Sequence, residues 1–360
     1  MTSRLDAAAP ERPRVAPPPP PAYRPLPRAT VPALAAGALV VALLVRAAVG
    51  LGPGLTALVA AVVLTVGLNL ASRSTEGPRR ATDRTVTAVV SCAFLLAVVP
   101  LVSLLYTVLS KGAERFDGGF FSMSMRNVVG EGGGGVHAIY GTLWVTGIAT
   151  VISVPIGLFC AIYLVEYGRG RLARSVTFLV DVMTGIPSIV AGLFAYALFV
   201  VPFGAGVRFG IGGAVALSVL MIPVVVRAGE EMLKLVPAEL REAAYALGVP
   251  KWKTIVKVVL PVAAAGIGTG ITLAIARIIG ETAPLLLIAG YTTSINNNPL
   301  EGRMATLPVF AFQSFRQPGA RPEPSLDRAW TAALVLMLIV LLLNLVARLI
   351  AKAFAPKGAR

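Results

Sequence analysis

The chain has 360 residues, 56% of them hydrophobic and 14% charged, with a mean hydropathy of +0.80. That balance excludes an ordinary water-soluble domain and places the chain in a bilayer. The formal charge of +15 does not require a nucleic acid partner, because basic loops against anionic lipid account for it and no basic face with interleaved aromatics is present.

Residues 1–30 read as a Pro-rich cytoplasmic tail, with Pro17 to Pro21 favouring extended, solvated chain and no cleavable signal. Crossing about 30 Å of hydrocarbon takes roughly 20 apolar residues in a helix. Eight stretches qualify: 31–50, 54–72, 85–108, 138–165, 176–203, 209–227, 258–290 and 329–350. The expected fold class is all-α, a polytopic transmembrane helical bundle. The first two spans and their hydrophilic linker at 73–84 (domain 31–84) read as an addition to a six-span core over 85–355.

Basic residues are retained on the cytoplasmic side of short loops. With the N-terminus inside, cytoplasmic segments hold 22 of the 32 Lys and Arg and outer segments nine, with Arg277 left inside the membrane. Eight spans then place both termini in the cytoplasm.

Between the third and fourth spans, Gly130 and Gly132 to Gly135 form a Gly-rich loop. Val136 and His137 follow where a P-loop needs Lys and Ser or Thr, so the loop is expected to be flexible and not a nucleotide cradle. His137 is the only histidine, and Cys92 and Cys160 sit in apolar runs, unpaired. No metal ligand set and no catalytic constellation can be assembled, so any ATPase must be another chain. Pro155 and Pro187 lie within expected spans and predict bends, either hinges or static kinks. Asp181 falls near the cytoplasmic start of the fifth span and is expected to be interfacial.

The loop 228–257 is short, charged and set between apolar runs. Leu240, Ala243, Ala244 and Leu247 recur at helical spacing, Gly248 suits a helix C-terminus and Pro250 stops continuation. Lys251 to Lys257 form a second short basic helix, giving an elbow. Pattern alone leaves two readings for it: a lipid-surface helix or a docking element whose small residues admit a partner while Glu242 supplies a charge.

Two charge groups lie at or in the membrane. Arg277 sits in a long apolar run, at a cost on the order of 3 kcal/mol unless compensated. Glu281, one turn on along the same face, is close enough to be its ion-pair partner. Arg227 and Glu230, three residues apart, end the sixth span. Arg277 is either neutralised by Glu281 or offers forked donors to an oxyanion in transit, and Arg227, at a helix end, can simply snorkel to headgroups. A neighbouring Glu can accept the proton of hydrogen phosphate, which sulfate lacks.

Glu242-Ala243-Ala244, Gly248, Ile255 and Leu260-Pro261 resemble the EAA loop of ABC importer permeases. The stretches 154–168, 184–196 and 276–290 (ARIIGETAPLLLIAG), with 133–146, resemble the phosphate importer permeases, and the PstA family more than PstC. The resemblance covers about 130–350. It implies a non-catalytic, ATP-driven phosphate permease in the bacterial cytoplasmic membrane. Glu242, Ala243, Ala244 and Gly248 would dock on a separate ATPase dimer that binds ATP and Mg. Arg227, Glu230 and Arg277 would lie on the substrate path, with Glu281 beside them. Implied partners are inorganic phosphate, a PstC-like second permease, an extracytoplasmic phosphate-binding protein and the lipid bilayer. A sulfate or molybdate permease, and a proton-coupled secondary transporter acting through Glu230 and Glu281, are the alternatives.

Overall fold

The computed structural model describes residues 26–319 and 321–354, so the tail expected over 1–30 lies largely outside the described residues. Those residues are helical, without strands. Seven helices are long and apolar enough to cross a membrane, or eight if one bent pair counts as a span, and the chain is a multi-pass membrane protein. It divides into two compact units at Leu104 and Leu105, within one continuous helix.

The first unit holds α1 (Thr30–Val49), α2 (Pro53–Thr75) and the first part of α3 (Pro78–Gly112). The hydrophilic stretch read as a linker at 73–84 is mostly helix. Only Glu76 and Gly77 separate α2 from α3, and the division falls about twenty residues further on. The reason is local: the Glu76 carboxylate is enclosed and accepts from Arg84 Nε (2.5 Å) and Nη2 (2.8 Å), Ser72 Oγ (2.7 Å) and the Leu26 N–H (2.9 Å). Asn69 Nδ2 donates to Thr85 Oγ1 at 2.7 Å one turn away, closing α2 on α3.

The second unit continues through α4 (Gly118–Ser122), α5 (Val136–Ile162), α6 (Gly170–Thr184), α7 (Ser188–Phe203) and α8 (Gly210–Lys234). It ends with α9 (Ala238–Ala246), α10 (Lys251–Thr254), α11 (Leu260–Ile278), α12 (Ala283–Ile288), α13 (Leu307–Arg316) and α14 (Pro322–Phe354). One turn of π-helix, Tyr163–Tyr167, extends α5, and another, Ile255–Val259, joins α10 to α11. The core lies between α5, α8, α11 and α12, where Val145, Leu217, Met221, Val225, Ile278 and Leu285 are buried. Most of the remaining apolar side chains are exposed, as they are when lipid is the solvent.

Two expected spans are broken. The stretch 176–203 is the pair α6 and α7, bent by 110° at Gly185-Ile186-Pro187, with Pro187 the residue before α7. Proline cannot donate the hydrogen bond that would continue α6, and it biases its predecessor away from helix. Pro155, by contrast, is carried inside an uninterrupted α5. The stretch 258–290 stops at Ile278 and resumes as α12, with Gly280 and Pro284 breaking the helix.

A short broken helix in a membrane persists only if protein covers it. Glycines make the seat. A Cβ on Gly192 of α7 would lie 2.6 Å from Pro284 Cα. On α8, a Cβ on Gly212 would meet Ile288 at 2.5 Å and one on Gly213 would meet Ala289 at 2.9 Å. Small residues here let backbones approach as they do at other transmembrane contacts.

The Arg84 guanidinium, ahead of the other hydrogen bonds, holds the Glu76 carboxyl down at about 2, well below its usual 4.5. A depressed carboxyl contributes stability that is complete above the ordinary value and is lost as pH falls through the folded one. Glu76→Gln should therefore unfold at a lower denaturant concentration than wild type at pH 7. The gap should shrink below about pH 4.5 and close near pH 2; a gap constant across that range, in denaturation of the detergent-solubilised chain, would rule out this carboxylate as its source.

Candidate functional site

The elbow forms as its sequence predicts, with one reversal. α9 ends in a Schellman motif: Gly248 is at φ +73°, its N–H donates to Tyr245 O (2.9 Å), and the Val249 N–H donates to Ala244 O (3.1 Å). Glu242, Ala243, Tyr245 and Leu247 are exposed, as is Gly248. Ala244 is buried and faces its own chain, so its small size serves the packing of α9 on the π turn at Ile255–Val259, not the approach of a partner.

Arg241, from the same helix, anchors the elbow. Its Nε and Nη2 donate to one oxygen of Glu166, at 3.0 and 2.8 Å, and its Nη1 and Nη2 also donate to Val236 O (2.7 Å) and Leu233 O (2.9 Å). The Glu166 side chain is only 5% exposed. Lys251 Nζ donates to the Glu166 carbonyl and lies 4.7 Å from the centre of the Tyr167 ring. The elbow is therefore tied to the π turn of α5 and to the end of α8. The signal for this pair in the sequence is a lone acid, Glu166, closing an apolar run of about 28 residues.

Arg227 and Glu230 do meet, with Nη1 donating to Oε2 at 2.7 Å. Two further residues join them. Arg227 Nη2 donates to Asp181 of α6, and Lys234 Nζ donates to Glu230 Oε1 at 2.7 Å. Asp181, its side chain 59% exposed, is thus the second anion of a four-charge cluster, brought there by the packing of α6 on α8. Asp181 and Glu230 also line an open cleft of about 390 Å³. Both Glu230 oxygens are engaged by cations in this conformation, Oε2 by Arg227 and Oε1 by Lys234.

Arg277 and Glu281 are not paired among the described residues. The one-turn spacing held only on a continuous helix, and α11 ends between them; the Glu281 N–H instead closes a tight turn on Ile278 O at 3.1 Å. Arg277 is exposed and Glu281 half-buried at this break. The two arginines are also nearer in level than their distance along the chain suggests. α8 and α11 pack antiparallel, with Gly266 against Met232 and Gly270 against Ala228. That register sets Arg277 level with Met221, six residues or about 9 Å above Arg227. No cluster of three or more His, Cys, Asp or Glu suited to a metal occurs among the described residues.

The family model described as the binding-protein-dependent transport system inner membrane component matches residues 153–359. The phosphate transport system permease protein PstA 1 of Mycobacterium tuberculosis is 48% identical over 275 residues, covering 76% of this chain and 89% of that protein. PstA of Yersinia pestis is 40% identical over 288 residues, covering 77% and 92%. Among solved structures, the inward-facing MetNI methionine ABC transporter aligns with a TM-score of 0.52 at 22% identity, over 61% of this chain and 96% of that one, which shows the fold. The chain accordingly belongs to the PstA family of phosphate transport permeases and is a permease subunit of a phosphate importer.

Proposed function

We propose that this permease subunit couples phosphate movement to ATP hydrolysed on a separate subunit, through the exposed face of its elbow. Glu242 and Ala243 on α9, with Gly248 at its end, offer the docking surface; the elbow end of the bundle faces the cytoplasm, as do both termini. The observation that carries this reading is the Arg241–Glu166 anchor. A free amphipathic helix lying on lipid needs no such tether, whereas a coupling element must pass displacement to the spans.

The route follows from the contacts. A push on α9 reaches Glu166 at the end of α5 and the carbonyls of Leu233 and Val236 at the end of α8. α8 carries Arg227 and Glu230, so motion of the elbow end shifts the four-charge cluster directly. Releasing Arg227 from Asp181, or Glu230 from Lys234, frees donors for an oxyanion at this station. Arg277 provides forked donors about 9 Å above it. Glu281, which has no cation partner among the described residues, is the acceptor offered to the proton of hydrogen phosphate.

A second permease chain, an ATPase dimer and an extracytoplasmic binding protein complete the transporter in this reading. The chain itself carries no ATP chemistry. The resemblance to phosphate permeases favours phosphate over sulfate or molybdate, and the docking elbow favours ATP coupling over a proton gradient.

Radiolabelled phosphate uptake by phosphate-starved cells is the direct test. Arg277→Gln and Glu242→Lys should each lower uptake at least about tenfold at normal membrane levels, without competition from sulfate or molybdate. Uptake that survives Glu242→Lys but collapses with an uncoupler at preserved ATP would replace the ATP-coupled reading with the secondary transporter.

The anchor has its own test. Arg241→Ala leaves Glu166 buried and unpaired, at a cost of about 3–5 kcal/mol. It should loosen the elbow to limited proteolysis and depress uptake, and the exchange Glu166→Arg with Arg241→Glu should restore part of both. Full protection and full uptake in Arg241→Ala would show that the anchor does not transmit the coupling.

A further inference from the structure

At the end of the core opposite the elbow, around the starts of α8 and α14, lies a cavity of about 690 Å³. Three arginines line it, Arg208, Arg303 and Arg328, and no lining residue is acidic. Arg208 precedes α8 by two residues, Arg303 precedes α13 by four, and Arg328 lies in the second turn of α14. The stems of Arg208 and Arg303 converge on Gly290, where a Cβ would lie 3.0 Å from Arg208 Cδ and 3.3 Å from Arg303 Cγ. Neither has a carboxylate partner among the described residues.

Arg328 is the decisive residue. It is only 4% exposed, yet only Nη1 is used, donating to Gly130 O at 2.9 Å and Gly132 O at 2.8 Å. Nε is enclosed without an acceptor, and Nη2 bonds nothing among the described residues. Leaving a buried guanidinium short of acceptors is costly. The unused Nε and Nη2 form one edge of the planar fork, the edge that takes two oxygens of a carboxylate or phosphate side-on. Arg115 and Asp327 act on Arg328 at longer range with opposite signs. In an adjoining cavity of about 460 Å³, Glu131 is already paired with Arg321 at 3.2 Å. The Gly-rich loop thus has a use that its missing P-loop residues did not suggest. Gly130 and Gly132, at φ +81° and +85°, turn carbonyls and not N–H groups toward the site, and so hold the arginine instead of the anion.

We propose that this basin receives a phosphate group, with Arg328 at its floor and Arg208 and Arg303 at its mouth. The link to transport rests on the reading above: the basin is then the first station for phosphate on the outer side. The 25-residue α8, about 37 Å long, separates it from the end that carries Arg227. A concave surface lined by one sign of charge concentrates anions before any specific contact forms. Free hydrogen phosphate and the headgroup of an anionic lipid share this chemistry, and the test separates them.

The full-length chain in phosphatidylcholine nanodiscs is titrated with inorganic phosphate at matched ionic strength, and thermal unfolding is followed. Phosphate should protect wild type, and Arg208→Gln with Arg303→Gln should weaken the apparent affinity about tenfold or more. These side chains are exposed, so the double variant should unfold like wild type in chloride alone. Arg169→Gln with Arg171→Gln, an equal charge change at the other end, should leave the protection intact. Arg328→Lys keeps the charge but not the fork and should also lose affinity. A parallel arm in phosphatidylglycerol nanodiscs measures lipid retention by native mass spectrometry. Retention that requires Arg208 and Arg303, without a response to free phosphate, assigns the basin to lipid and removes it from the transport path. Equal phosphate protection in wild type and the Arg208/Arg303 variant, or no response in either arm, overturns the basin. If protection is lost in that variant while cellular uptake never depended on the chain, the basin stands and the transport reading falls.

Discussion

The buried pair of Arg241 and Glu166 is the constraint on which the elbow end of the molecule depends. Charges largely withdrawn from water are tolerable when hydrogen bonds compensate them. Here the guanidinium supplies two backbone carbonyls as well as the carboxylate, and the Glu166 carbonyl takes Lys251 in turn. That requirement fixes the ends of α5 and α8, the start of α9 and the start of α10 relative to one another. It also accounts for Ala244, which must be small because α9 is drawn onto its own chain. Glu242, Ala243, Tyr245 and Leu247 are what remain exposed once the anchor is satisfied.

Deeper in the bundle, the governing constraint is backbone satisfaction in an apolar medium. Breaks free N–H and C=O groups that lipid cannot accept, and after the α11–α12 break Pro284, Leu285, Ile288 and Ala289 are buried against protein. Glycines on α7 and α8 supply the room, and α12 fills it. The same break takes Glu281 off the face of Arg277, leaving a cation and a carboxylate close in sequence but free of each other.

Charge is arranged differently at the two ends of the core. Toward the elbow, Arg227 and Lys234 are balanced by Asp181 and Glu230, a network that must open before it can hold an anion. At the opposite end, Arg208, Arg303 and Arg328 line a cavity without acids. The cation-only cavity and the balanced cluster lie toward opposite ends of α8.

By itself the sequence determined what composition, period and local chemistry can encode. It determined a helical membrane bundle, the places of most of the spans, the elbow with Gly248 as its left-handed terminus, the meeting of Arg227 with Glu230, and through the EAA and GETAPLL stretches the family. These are short-range matters: a residue three or four positions away on one helix is a neighbour whatever the rest of the chain does. The tertiary structure decided which partners come from elsewhere. Asp181 reaches Arg227 from α6, which packs against α8, Glu166 meets Arg241 across 75 residues, Gly130 holds Arg328 across 198, and Arg277 loses Glu281 because α11 ends between them. Periodicity averages over Gly and Pro breaks and carries no register between helices, and that register is fixed by which small residues face which backbone.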